Sequence, residues 1–133
     1  MTGTDAGIVR QGVYGAIRSY DHRGCVFSWQ PPAGAFRRVA IDVEAKDSPV
    51  DAMSRRFGLS PCEFRLRWTT LEAEAKVLDE PVHLLLKRLG LRDAACAGWT
   101  RSAAGVWLCL IEHPTHWITV AVVQASGVRS LLH

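Results

Sequence analysis

Two β-forming runs, "GVWLCLIEH" (105–113) and "HWITVAVV" (116–123), are separated by Pro114 and Thr115 alone. A link this short turns the chain back on itself and leaves no room for a parallel crossover, so the two strands must pair antiparallel. With "LRDAACAGW" (91–99) before them and "GVRSLLH" (127–133) after a turn at "QASG", they predict an antiparallel meander over 91–133. Pro114 forces the turn and puts His116 at the first position of a strand, where a half-exposed imidazole is within reach of a substrate.

Ahead of the meander the pattern turns helical. "TTLEAEAKVLDEPVHLLLKRLG" (69–90) offers Thr69 or Thr70 as a cap, Pro81 as a break or restart, and a stripe of Leu84, Leu85 and Leu89 ending at Gly90. In "DSPVDAMSRRFGLS" (47–60) Asp47 or Ser48 can cap, Pro49 takes the first helical position and Gly58 supplies the stop. "SPCEFRLRW" (60–68) supports two periods, a helix opened by Ser60 and Pro61 or a strand alternating at Phe64, Leu66 and Trp68. Residues 8–20 fit a short helix or a strand. "GCVFSW", the turn "QPPAG" and the alternating "FRRVAIDVEA" read as a hairpin.

The expectation is an α+β fold with an N-terminal β-hairpin, two or three helices and then an antiparallel sheet. At 133 residues it is a single domain, with a hairpin region at 1–46, a helical region at 47–90 and the meander at 91–133. Hydrophobic residues make up 48%, enough for a packed core and too many for a disordered chain. No apolar run reaches the roughly 18 residues of a membrane span, and "MTGTDAGIVRQGVYG" lacks the basic start and apolar stretch of a secretion signal. A cytoplasmic protein without a membrane partner is therefore expected. Its four cysteines, Cys25, Cys62, Cys96 and Cys109, form no C-x-x-C pair and read as free thiols. A net charge of +3, carried by dispersed arginines, permits a nucleic-acid partner without demanding one.

Several constellations could carry chemistry. Cys62 follows Ser60 and Pro61, and a helix N-terminus there would lower its thiol pKa, making it the candidate nucleophile with His116 as base. Trp117, beside His116, is a candidate binding residue. Cys109, His113 and His116 could instead ligate zinc with His22, His83 or Cys96, although C-x3-H-x2-H is not a common ligand spacing. Laid on a helix-turn-helix, 50–68 puts Met53, Phe57 and Leu59 inside and Arg65 and Arg67 outside as nucleic-acid contacts. "GAIRSYDHRGCVF" distantly resembles the cold-shock β-barrel pattern, with too few aromatics. In "RRVAIDVEAK", Asp42 and Glu44 share a strand face and Lys46 follows, which resembles the PD-(D/E)XK nucleases. That resemblance implies two carboxylates holding Mg²⁺, a lysine steadying the attacking water, and Asp21 as a further acid.

"HLLLKRLGLRDAACAGW" and "GVWLCLIEHPTHWITVAVVQASGVRSLLH", within residues 47–133, resemble papain-like cysteine peptidases of the bacterial leader-peptide type. The resemblance implies a Cys–His pair with His116 as base, oriented by an acid or amide of the last strand. The place of the family's cysteine reads "KDSPVDAM", with Ser48, and the last strand offers only Ser126, Ser130 and His133. The expected function is a small cysteine hydrolase or a degenerate relative that binds a peptide or protein. The alternatives are a nucleic-acid-binding or nucleolytic protein and a plain interaction module. No metal and no cofactor is assigned, and the oligomeric state stays open.

Overall fold

The computed structural model describes residues 5–125. From Ser126 onward the expected turn and last strand lie outside the described residues. In chain order the elements are β1 (Ile8–Gln11), β2 (Arg18–Tyr20), β3 (Val26–Gln30), β4 (Phe36–Ala45), α1 (Asp51–Arg56), α2 (Pro61–Val77), α3 (Val82–Leu89), β5 (Thr100–Arg101), β6 (Trp107–Glu112) and β7 (His116–Gln124).

They make two antiparallel sheets, one ordered β1-β3-β2 and the other β4-β7-β6-β5. The four-stranded sheet lies between the three-stranded sheet and α2. Along β4 the odd residues Val39, Ile41 and Val43 pack with Phe27 and Trp29 of β3, joined by Ile118, Val120 and Val122 of β7. The even residue Ala40 instead packs with Ala121 and with Ala73 and Val77 of α2. A strand with period-two side chains can feed two cores at once only if both faces are covered. Behind α2, Leu71 and Ala75 bury Leu85 of α3, forming a third cluster.

The α+β class is as the patterns predict, and the β5–β6–β7 meander is present. Several local expectations differ, the first being that α1 starts at Asp51 with Val50 in the cap position and no side-chain cap, Ser48 being turned to Glu44 and Pro49 lying ahead of the helix. The N-terminal hairpin is β2–β3, closed over residues 21–25; β3 and β4 do not pair, because the chain at Pro31 and Pro32 crosses from one sheet to the other. The alternation in "CEFRLRW" yields to a 17-residue helix, whose N-cap Ser60 accepts from the Glu63 backbone N–H and whose first residue is Pro61. Thr69 and Thr70, read as caps, therefore sit in mid-helix, buried; Thr70 Oγ1 donates to the Leu66 carbonyl and accepts from Ala95 N–H. "LRDAACAGW" forms no strand, its backbone being drawn onto α2 by that last bond and onto β6 by Leu110 N–H to the Cys96 carbonyl. No helix among the described residues is long and apolar enough to cross a membrane.

Phe27 is fully buried between the sheets and touches the rings of His113 and His116. Phe27→Ala is expected to cost about 3–5 kcal/mol in urea unfolding; a cost below about 1 kcal/mol would show that this core relaxes around the gap.

Candidate functional site

His116 begins β7, and its neighbours follow from the tight turn before it. His113 and His116 exchange backbone hydrogen bonds of 3.0 and 3.3 Å across Pro114 and Thr115. The Thr115 N–H donates to His113 Nδ1 at 3.2 Å, while Thr115 Oγ1 lies 3.0 Å from that nitrogen and 2.7 Å from His116 Nδ1. Since His113 Nδ1 already accepts, the hydroxyl donates to it and accepts from His116 Nδ1–H. Burial, with the nearby His116 and Lys46, holds His113 below the usual histidine pKa, which suits that acceptor role.

The other nitrogen, His116 Nε2, lies 2.9 Å from Asp21 Oδ2, and both side chains are almost wholly buried. Asp21 belongs to the β2–β3 turn. Its Oδ1 accepts from the backbone N–H of Arg23 at 2.9 Å and of Cys25 at 2.8 Å, and Gly24 at φ +83° lets the chain close. Burial raises the Asp21 pKa, but the His116 bond and the two backbone donors outweigh it and leave it below the ordinary aspartate value. The bond ties the turn that carries His22 and Arg23 to the mouth of β7. Between them lies a cleft of about 300 Å³ bordered by Arg23, Lys46, Asp47, Thr115 and His116.

Beside this cleft the even face of β4 meets α2. Asp42 is buried; its Oδ1 accepts from Lys76 Nζ at 2.9 Å and its Oδ2 from Thr69 Oγ1 at 2.8 Å. Glu44 Oε1 accepts from Ser48 Oγ at 2.5 Å, and Arg65 donates to the Ser48 carbonyl at 2.6 Å. Glu72, four residues before Lys76 on α2, completes a group of three carboxyls. Burial pushes all three up in pKa. Asp42 adds to the effect on Glu44, and both Asp42 and Glu44 add to the effect on Glu72. The opposing charges are Lys76 at Asp42 and Glu72, and His22 and Arg65 at Glu44. Thr119, directly across from Asp42 and hence on the same sheet face, has a buried hydroxyl with no hydrogen-bond partner.

Cys62 does occupy an N-terminal helical position, exposed on α2, but it is not brought to His116, both of whose nitrogens are taken by Asp21 and Thr115. The sulfur beside His116 is that of Cys25. Cys109 is buried, donates to the Ala97 carbonyl and has its thiol pushed up to about 11 by burial and by Cys96, so the zinc set built on it does not form. Arg65 and Arg67 do not point free into solvent, Arg65 being held by Ser48 and Arg67 by Glu63 at 2.8 Å and Asp93 at 3.4 Å. Lys46 is bonded to Glu112 at 2.6 Å and lies over the ring of Trp117, and Asp21 is taken by His116, so the carboxylates of β4 gain Lys76 and Glu72 of α2 in their place. "LEAEAK", with Glu72 four residues ahead of Lys76, was the sequence signal for that contribution.

Comparison of the chain with known protein families, with curated proteins and with solved structures finds no match.

Removing Lys76 strands a buried carboxylate. Lys76→Ala is expected to destabilise by about 1–2 kcal/mol, partial exposure of the ammonium screening the loss. Asp42→Asn in the same chain should recover roughly half. Additive losses in a double-mutant cycle would show that the two groups do not act as a pair.

Proposed function

We propose that Asp42, Glu44 and Glu72 bind a divalent cation, and that the protein uses it to act on a phosphate ester or phosphate anhydride. The observation that carries this reading is the convergence of three carboxyls from two elements at one largely buried place, where burial makes all three harder to ionise, Asp42 adds to the effect on Glu44 and Glu72, and Glu44 adds to that on Glu72. Such crowding is costly in a folded chain unless a cation offsets it. Carboxylate oxygens with no thiol or imidazole among them suit a hard ion such as Mg²⁺, which commonly keeps one or two protein carboxylates and completes its shell with water and substrate phosphate. The partnerless Thr119 hydroxyl on the same face is a further polar group directed at this layer.

The chain's own cations fit the second half of the reading. Lys76 and Arg65 keep Asp42 and the Glu44–Ser48 pair in place, while Arg23 and Lys46 border the adjoining cleft, paired with Asp47 at 2.9 Å and Glu112 at 2.6 Å, partners that an anionic substrate would replace. A bound cation would polarise a phosphate oxygen and offset charge developing on it. The reading keeps the Mg²⁺ chemistry expected of Asp42 and Glu44, and transfers the lysine's place from Lys46 to Lys76.

The test is titration of the protein with Mn²⁺, followed by pyrophosphate. Glu44→Gln and Glu72→Gln should each weaken Mn²⁺ by at least about tenfold, and pyrophosphate should bind only with the cation present. The pH dependence has a definite sign: a carboxyl whose folded pKa is raised favours the fold below its unfolded value, and this contribution is lost as pH rises through the folded value. The metal-free protein should thus lose stability as pH climbs out of the acid range, Mg²⁺ should restore it increasingly, and Glu72→Gln should raise the metal-free Tm by about 2–4 °C. Unchanged Mn²⁺ affinity in both variants would overturn the reading.

A further inference from the structure

A second group of ligand-type side chains stands apart from the carboxylates of β4 and α2. Asp21, Cys25 and His116 place one oxygen, one sulfur and one nitrogen within 4.8 Å of one another, on two strands' ends held together from both sheets. The geometry points to a transition-metal site here, with Zn²⁺ as the fitting ion, formed by Asp21 Oδ2, Cys25 Sγ and His116 Nε2. It does not depend on the cation reading of Asp42, Glu44 and Glu72.

Four observations support it. The hydroxyl relay from His116 Nδ1–H through Thr115 to His113 leaves Nε2 as the nitrogen turned to Asp21. Metal-bound histidines are commonly held in this way, through a donor bond from the ring nitrogen that does not ligate. Nε2 and Oδ2 lie 2.9 Å apart with a proton shared between them in the metal-free protein, a place that a cation can take. Asp21 Oδ1 is committed to two backbone N–H groups, so the carboxylate is already aimed with Oδ2 toward the ring and the sulfur. The fourth concerns Cys25, whose Sγ accepts from Gln11 Nε2 at 3.3 Å, a donor that would stabilise a thiolate; the exposed Gln11 and half-buried Cys25 also leave a way in.

Zinc bonds of about 2.3 Å to sulfur and about 2.0–2.2 Å to nitrogen and oxygen call for a few tenths of an ångström of opening between Nε2 and Oδ2 and for the Cys25 sulfur, within 4.8 Å of both, to close on the ion. The proton between His116 and Asp21 and the thiol proton of Cys25 leave to solvent as the ion enters. Three protein ligands leave one position for water. An ion here would fasten the 21–25 turn, with His22 and Arg23, to the start of β7.

The experiment uses the full chain carrying Cys62→Ser and Cys96→Ser, which removes the two exposed thiols. Co²⁺ should bind one-to-one with a thiolate-to-cobalt charge-transfer band, Zn²⁺ should displace it, and Zn²⁺ should protect Cys25 from alkylation. Cys25→Ser, a conservative change at a half-buried position, should abolish the band. Asp21→Asn and His116→Gln should each weaken binding by at least about tenfold. Glu44→Gln with Glu72→Gln should leave the band intact, separating this site from the carboxylates. No thiolate band, alkylation of Cys25 at the same rate with and without Zn²⁺, or one-to-one binding that survives Cys25→Ser would overturn the assignment and leave the His116–Asp21 contact as a proton-bridged clamp.

Discussion

Burial of both faces of the β4–β7 pair is the constraint on which the remaining structure depends. Because neighbouring side chains on a strand point to opposite faces, Ile41 and Val43 serve the core between the sheets while Ala40, Asp42 and Glu44 look toward α2. A slip of one residue in this register would drive Asp42 and Glu44 into the Phe27–Trp29 core and expose the valine and isoleucine that belong there. The candidate site and the main core are thus fixed by the same pairing, Asp42 opposite Thr119 and Ile41 opposite Val120.

Much of this was legible in the chain. The two-residue link at Pro114 and Thr115, the alternation of 36–45 and the Ser60–Pro61 helix start all describe contacts within a few residues, and each is realised. What failed were readings that needed distant partners. "CEFRLRW" satisfies strand and helix periods alike, and beside the Ser60–Pro61 start it is the seating of Thr69 on Asp42 of the sheet and of Leu71 on α3 that favours the helix. For His116 the sequence suggested an orienting group downstream, whereas its partner, Asp21, comes from 95 positions upstream. Chain order carries no information about such a meeting. The acids of β4 were visible as a pair, and "LEAEAK" shows Glu72 spaced to face the same way as Lys76, but not that this face of α2 lies on the sheet.

The two groups of ionisable residues pull the molecule in opposite directions with pH. Asp21, held below its usual pKa, contributes stability above the ordinary aspartate value of about 3.9 and loses it only in stronger acid. Glu44 and Glu72, held above theirs, oppose the fold as they ionise on the way to neutrality. One group behaves as a fastening and the other as stored repulsion.

Among the described residues the four-stranded sheet ends in β4 on one side and in the two-residue β5 on the other, and the register of β4 breaks between Phe36 and Arg38. The smaller sheet is bounded by strands of four and three residues. Unpaired edges are where a chain recruits strands from its neighbours, and shortness, irregularity and charge at Arg37 and Arg38 all discourage it. For a chain rich in β-forming sequence, such edges give a second copy little straight, uncharged backbone on which to add a strand.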